Sequence, residues 1–136
     1  MRRIDDKLSE LETFVEQLHS IAPASLKEYQ MNIEKKAACE RFVEKIVEAI
    51  LDIAFLLIKL KKLRIPTDDA DAFCVLLENK IIDDQLATKL KNAKGMRNVI
   101  VHQYGNVDDA VVFTSITEEL EGDIRRFIDV VKEVYG

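Results

Sequence analysis

The sequence predicts an all-α fold: an antiparallel, up-and-down bundle of four long helices and one short helix. Apolar residues recur at helical spacing along nearly all of the 136 residues, and no strand-type alternation persists. Four glycines and two prolines are too few for a turn-rich β-sandwich. The length suits one domain spanning residues 1–136. With 48% of its residues apolar, such a chain can bury a core without a disulfide or a structural metal.

The first predicted helix carries a single apolar stripe and ends at Pro23. The members of the stripe step by three and four residues: Ile4, Leu8, Leu11, Val15, Leu18 and Ala22. Ser25 can cap the next helical region, with Glu28 as its capping-box partner three residues later. That second region runs to about Leu63, and Pro66 ends it.

The second region has two apolar seams side by side, a face wide enough for a central helix that contacts several others. One seam is formed by Val43, Ile46, Ile50, Ile53, Leu57 and Leu60, and the other by Val47, Leu51, Ala54 and Ile58. A short helix over about 70–78 follows, because Asp68 and Asp69 offer caps for it.

Two further long helices complete the predicted bundle. Asp83 or Asp84 caps the fourth helix, Gly105-Asn106 ends it, and Asp108 can cap the fifth. The apolar stripe of the fourth helix contains Leu86, Leu90 and Ala93. The fifth has Phe113, Ile116, Leu120, Ile124, Phe127, Val131 and Val134 facing inward. Mutual burial of these stripes stabilises the bundle.

The charge is unevenly distributed over a chain whose formal net charge is −5. An acidic balance gives no general attraction to nucleic acid. Residues 85–107, however, contain no acid and four cations, Lys89, Lys91, Lys94 and Arg97. A second cluster, residues 59–64, also contains four cations. Taken alone, such clusters are usually solvated helix ends.

The composition also argues against export and membrane insertion. The most apolar stretch, residues 42–60, is interrupted by five charged residues, and the N-terminus lacks the apolar core of a secretion signal. We therefore expect a cytoplasmic protein. Cys39 and Cys74 are far apart in sequence and are interpreted as small buried hydrophobic residues.

Metal and cofactor signals are weak. A di-iron bundle needs two Glu-x-x-His pairs, and the chain has only Glu16 with His19. The sequence contains no glycine-rich phosphate loop and no Gly-x-Ser-x-Gly motif. We therefore predict no metal site and no cofactor.

The fourth helix contains an arginine where an apolar residue is expected. Continuing its stripe by the same steps reaches Arg97, then Ile100. A buried guanidinium without a partner is unfavourable, so Arg97 needs an acid, a cleft or a ligand. Asp52 and Glu48 are candidate acids, because both interrupt the wide face of the second region.

A histidine lies near the end of the same helix. Arg97 and His102 are five residues apart, about 140° around a regular helix, so they do not share a face. They can converge if the last turn unwinds before Gly105, or if the site combines residues from two copies of the chain. Asn98 and His102, at i and i+4, do share a face. Imidazole titrates near neutral pH and suits proton transfer.

The string Arg97-Asn98-x3-His102-x-Tyr104 resembles the Arg-x4-His-x-Tyr signature of HepT toxins, members of the HEPN class of helical ribonuclease domains. The resemblance covers about residues 4–134. It includes Glu40-Arg41, Asp52, Pro66 and Val107-Asp108.

The resemblance implies metal-independent RNA cleavage by a homodimer, with the cleft between two protomers. His102 would be the general base that takes the proton from a ribose 2′-hydroxyl, and Arg97 would stabilise the phosphate as charge builds on it. Asn98 would orient the phosphate or the imidazole. The products would be a 2′,3′-cyclic phosphate and a 5′-hydroxyl. DNA is excluded because it lacks the nucleophile. The basic residues Lys89, Lys91 and Lys94 would contact RNA.

The resemblance also implies a partner, a minimal nucleotidyltransferase antitoxin of the MNT type that adenylylates Tyr104. The alternative for Tyr104 is a core aromatic with a local hydrogen bond. Two alternatives for the whole protein stay open. One is a non-catalytic helical substrate- or nucleotide-binding subunit of a nucleotidyltransferase complex. The other is a structural bundle in which Arg97 only pairs with an acid, so that its loss would destabilise the fold by about 3–5 kcal/mol.

Overall fold

A computed structural model describes residues 2–102 and 107–135, and all regular structure within these ranges is helical. The all-α prediction is confirmed. The helices are α1 (Arg2–Ile21), α2 (Leu26–Met31), α3 (Ile33–Leu60), α4 (Asp69–Glu78), α5 (Asp84–His102), α6 (Asp109–Thr114) and α7 (Leu120–Tyr135), with a π-helical turn at Ser115–Glu119.

The central element is α3, which packs against α1, α2, α4 and α5. Both predicted seams of α3 are buried except at Leu60, in its last turn. Each fully buried Ile or Leu contributes about 1.5–3 kcal/mol, so this helix anchors the core.

Contacts between their side chains show that the long helices α1 and α3 run antiparallel. Lys7 Nζ lies 3.2 Å from Asp52 Oδ2, whereas Phe14, further along α1, has its ring 5.5 Å from Lys45 Nζ, earlier in α3. The chain numbers therefore rise along α1 as they fall along α3. The ion pair Lys132–Glu12, at 3.2 Å, connects α7 to α1.

The second helical region differs from the prediction because Asn32 divides it. The Ser25 cap is confirmed: its Oγ accepts a hydrogen bond from the Glu28 N–H at 3.1 Å. The short α2 then ends, and Asn32 Oδ1 accepts from the Lys35 N–H at 3.0 Å to cap α3. Asparagine side chains compete with the helix backbone in this way. The structure thus has a second short helix, which the predicted helix count lacked.

The fifth predicted helix is interrupted by the π-helical turn. Asp108 caps α6 as predicted, accepting from the Ala110 and Val111 N–H groups. Thr117 Oγ1 donates to the Phe113 carbonyl at 2.8 Å within the interruption. The inward stripe nevertheless stays buried from Ile116 through Val131.

Arg64 holds the connection between α3 and α4. Its Nη1 and Nη2 donate to Asp71 at 2.7 and 2.9 Å, and its Nε and Nη2 donate to Glu78 at 2.9 and 2.7 Å. These hydrogen bonds hold the pKa of both carboxyls below its usual range. Part of the second cationic cluster therefore has a structural role.

Cys39 is buried and Cys74 is partly buried, and both are free thiols in the described structure. No helix within residues 2–102 and 107–135 is both long and apolar enough to span a membrane.

Candidate active site

Arg97, Asn98 and His102 of the motif lie on α5, and the arginine is at the edge of the buried face. Leu86, Leu90, Ala93 and Ile100 are buried on that face, as predicted. The Arg97 side chain continues the row but keeps 23% of its surface exposed. The arginine therefore lies between the core and solvent.

Arg97 is held loosely. Its Nη2 lies 3.5 Å from Glu48 Oε1, and Glu48 is itself 49% exposed. Its Nη1 donates to Asn98 Oδ1 at 3.2 Å. The Arg97 Nε is buried and has no hydrogen-bond partner among the described residues. Of the two acids considered from the sequence, Glu48 is therefore the partner, since Asp52 pairs with Lys7.

The Arg97–Glu48 pair does not account for the position of the arginine. Ion pairs this exposed contribute about 0–1 kcal/mol, far less than a buried pair. A guanidinium has five N–H donors, and only one of those on Arg97 makes a hydrogen bond within the described residues. Apart from the buried Nε–H, the unpaired donors on Nη1 and Nη2 are available for a ligand with oxygen acceptors.

His102 is exposed in the last described turn of α5. The helix stays α-helical from Arg97 to His102, so it does not unwind between them. The two residues therefore lie about 140° apart around one helix, as calculated for regular geometry. Unwinding of the helix between Arg97 and His102, which would let them converge within one chain, is not observed. Tyr104 lies outside the described residues.

One face of α5, beside the buried one, is polar and basic; it is half-buried at Lys91, Lys94 and Asn98 and exposed at His102. Lys91, Lys94, Asn98 and His102 follow one another at spacings of three and four residues, so they share this face. Lys91 and Lys94 form no ion pair within the described residues. Lys89, by contrast, lies 3.6 Å from Glu119. The positive charge available to an anion is thus concentrated on Lys91 and Lys94.

The other candidate residues lie away from this face. His19 is exposed, with its Nδ1 3.6 Å from Glu121 Oε2. No group of three or more His, Cys, Asp and Glu side chains in the described ranges is arranged to hold a metal ion. Burial raises the pKa of the Cys39 thiol, which makes it a poor nucleophile.

A polar cluster under α2 was not identified from the sequence. The Tyr29 ring packs 5.6 Å from that of Phe113, and burial, followed by the charge of Glu40, raises the pKa of the Tyr29 hydroxyl. Lys36 Nζ pairs with Asp109 Oδ1 at 2.8 Å. The cluster fixes the start of α6 against α2 and α3. The six-residue α2 is too short for its periodicity to reveal this role.

The fold is that of HEPN toxins. The chain is similar to a Shewanella oneidensis HEPN toxin whose structure was solved in tri-AMPylated form in complex with an MNT antitoxin. The TM-score is 0.89 at 25% sequence identity, and the match covers 96% of each chain. A family model described as Ribonuclease HepT-like matches residues 4–131. The chain belongs to the HepT-like ribonuclease family.

Two curated relatives are nucleases. The chain is 34% identical over 90 residues to the mRNA nuclease HepT of Shewanella oneidensis, covering 66% of this chain and 67% of the relative. It is 29% identical over 119 residues to the tRNA nuclease HepT of Aphanizomenon flos-aquae, covering 87% of this chain and 80% of that relative. The resemblance inferred from the motif is confirmed.

Proposed function

We propose that this protein is a metal-independent endoribonuclease, the toxin of a cytoplasmic HepT/MNT-type toxin–antitoxin pair. The observation that carries the proposal is the loosely held Arg97 beside Asn98, on the helix whose polar and basic face presents His102. Family membership and the two nuclease relatives support RNA as the substrate.

The reaction is an internal transesterification. His102 accepts the proton of a ribose 2′-hydroxyl, and the 2′-oxygen attacks the adjacent phosphorus. Arg97 donates hydrogen bonds to the phosphate oxygens as negative charge builds on them, and Asn98 orients the guanidinium. The bond from phosphorus to the 5′-oxygen breaks, and that oxygen takes up a proton. The products are a 2′,3′-cyclic phosphate and a 5′-hydroxyl, and DNA is not cleaved.

The active form is a homodimer with a shared cleft. Arg97 and His102 point about 140° apart on one regular helix, so a single chain does not direct both at one phosphate. Two-fold symmetry brings the arginine of one protomer towards the histidine of the other. Lys91 and Lys94 extend the cleft as an RNA-binding patch, with Lys89 contributing less because of Glu119.

The partner is an MNT-type nucleotidyltransferase that transfers AMP to Tyr104. The AMP-modified structural relative in complex with its antitoxin supports this part of the proposal. AMP on a residue two positions from His102 would occupy the RNA cleft and add negative charge to it, which inhibits cleavage.

Purified protein incubated with total tRNA and mRNA in EDTA tests the ribonuclease proposal. We expect cleavage by the parent and by the matched control His19→Ala, which removes an exposed histidine elsewhere. We expect none by His102→Ala. Cleavage by His102→Ala at the parent rate contradicts the proposal. A parent that binds a nucleotidyltransferase but never cuts RNA is instead a non-catalytic subunit.

A further inference from the structure

Gly95 lies in the interior of α5, and the packing of the described residues does not explain why this position is a glycine. Glycine inside a helix is less stable than alanine by about 1 kcal/mol. Among the described residues, a Cβ added at Gly95 would meet no atom within 4 Å. Packing inside the protomer therefore does not require the missing side chain. Something outside the chain that must approach the helix backbone closely would require it.

Gly95 lies in the middle of the polar face proposed to bind RNA. Asn98 and His102 follow it at i+3 and i+7, so all three lie along one side of α5. Lys91 precedes it by one turn and Lys94 is its neighbour. A molecule that contacts both Lys91 and His102 crosses the helix at Gly95, which lies between them along α5.

A groove opens beside Gly95, between α5 and α6. It has a volume of about 360 Å³, within the range of small-molecule pockets. Its walls are mostly apolar, and Val111 on the α6 side keeps 58% of its surface exposed. The lining includes Asn92, Gly95, Met96, Val99 and Val111, and also Asp108, whose carboxylate caps α6 by accepting from the Ala110 and Val111 N–H groups. An apolar slot with an amide near one end suits a flat ring with a polar edge.

The positive charge of the α5 face distinguishes between two candidate occupants, a second copy of this chain and a polyanion. Direct contact between the α5 faces of two copies would bring Lys91 and Lys94 of one copy against the same lysines of the other, which repel one another, so in the proposed dimer these faces stay apart across the cleft. A polyanion is attracted to them. A nucleotide has a phosphate for the lysines and a base for the apolar slot, so it matches both parts of the surface.

We propose that Gly95 and the groove form a nucleobase subsite next to the cleavage motif. The base of a nucleotide adjoining the cleaved bond enters the groove, and its sugar–phosphate lies against the α5 backbone at Gly95. This inference rests on the proposed ribonuclease function and adds a residue that positions the substrate.

Two glycine variants test the subsite. Gly122 in α7 also has no atom within 4 Å of an added Cβ, so Gly122→Ala is a matched control. We expect Gly95→Ala and Gly122→Ala both to raise the midpoint of thermal unfolding. Binding of a fluorescent eight-nucleotide single-stranded RNA, measured in a His102→Ala background, should weaken about tenfold for Gly95→Ala, equivalent to about 1.4 kcal/mol. It should be unchanged for Gly122→Ala.

An abasic scan of the same RNA checks that a base occupies the groove. Removing the base at one position should weaken binding to the His102→Ala parent, and Gly95→Ala or Val111→Gln should abolish that sensitivity. Equal RNA affinity for the two glycine variants, or no sensitive position, overturns the subsite while ribonuclease activity stands. If sedimentation shows that Gly95→Ala weakens dimerisation, the face at Gly95 contacts a second copy of the chain, and the nucleobase subsite is overturned. A parent that neither binds nor cuts RNA overturns the proposed function itself.

Discussion

Arg64 and Arg97 have opposite relations to their surroundings. Arg64 is the more exposed, at 43%, yet its three guanidinium nitrogens make four hydrogen bonds to Asp71 and Glu78. Arg97 is the less exposed, at 23%, yet within the described part of the chain it makes one hydrogen bond and lies 3.5 Å from one carboxylate. From burial alone, the less exposed Arg97 would be expected to make more hydrogen bonds than Arg64, because a polar group removed from water is most destabilising when it lacks partners.

This contrast separates a structural arginine from an arginine kept for a ligand. Asp71 and Glu78 accept hydrogen bonds from all three guanidinium nitrogens of Arg64, and these bonds join the connection between α3 and α4 to α4. The surroundings of Arg97 leave donors unused at the edge of a basic helix face. Its local stabilisation is therefore small, and its position is explained by what binds there.

Exchanging each arginine for alanine should have opposite consequences, and this is the largest effect we expect. Arg97→Ala should lower the rate of RNA cleavage by at least about 10²-fold, because a donor to the developing phosphate charge is lost. It should reduce the free energy of unfolding by no more than about 1 kcal/mol. Single-turnover cleavage and urea denaturation measure the two quantities.

The same measurements on Arg64→Ala are the control. This variant should have a lower thermal midpoint and an unchanged cleavage rate per folded molecule. A loss of 3–5 kcal/mol in Arg97→Ala would instead show that the arginine supports the fold, as the structural-bundle interpretation requires.

Substitutions of the α5 lysines test whether the surface around Arg97 binds RNA. Lys91→Gln and Lys94→Gln should each weaken RNA binding and reduce the slope of log affinity against log salt by about 0.7. Lys89→Gln should change the slope less, because Lys89 already faces Glu119. Binding titrations of a cleavage-inactive protein at several salt concentrations give the slopes. Equal slopes for all three variants would contradict the assignment of the patch.

Removing the acid beside Arg97 should change RNA binding less than removing the lysines of α5, and in the opposite direction. Glu48 competes with phosphate for Arg97, so Glu48→Gln should tighten RNA binding by up to about fivefold, the limit of an exposed pair. Glu78→Gln, beside Arg64, should leave RNA binding unchanged. Weaker RNA binding by Glu48→Gln would mean that the carboxylate positions the guanidinium for its substrate.

The smallest effect concerns acid stability. Arg64 lowers the pKa of Asp71 and Glu78 in the folded state. Their contribution is therefore fully present above their unfolded pKa values of about 4 and lost as the pH falls through the folded values. The difference in thermal midpoint between the parent and Arg64→Ala should be constant from pH 7 to pH 5 and shrink below pH 4. A difference that grows in acid would exclude this linkage.

The sequence was most informative where periodicity and caps are strong. It predicted the central α3 with both seams, the Ser25 and Asp108 caps and the unusual position of Arg97. It missed the break at Asn32, because a cap within a helical pattern depends on where the chain turns in three dimensions. It also left Glu48 and Asp52 equivalent. They differ only because Lys7, on another helix, takes Asp52.

The shared cleft is the central claim, and a complementation experiment tests it most directly. We expect Arg97→Ala and His102→Ala each to lose most of the cleavage activity when alone, and their co-refolded mixture to regain about a quarter of the parent activity. In a mixed two-fold dimer, one pairing retains the intact arginine of one chain and the intact histidine of the other. A mixture that contains mixed dimers but stays inactive would show that each site lies within one chain and would contradict the account.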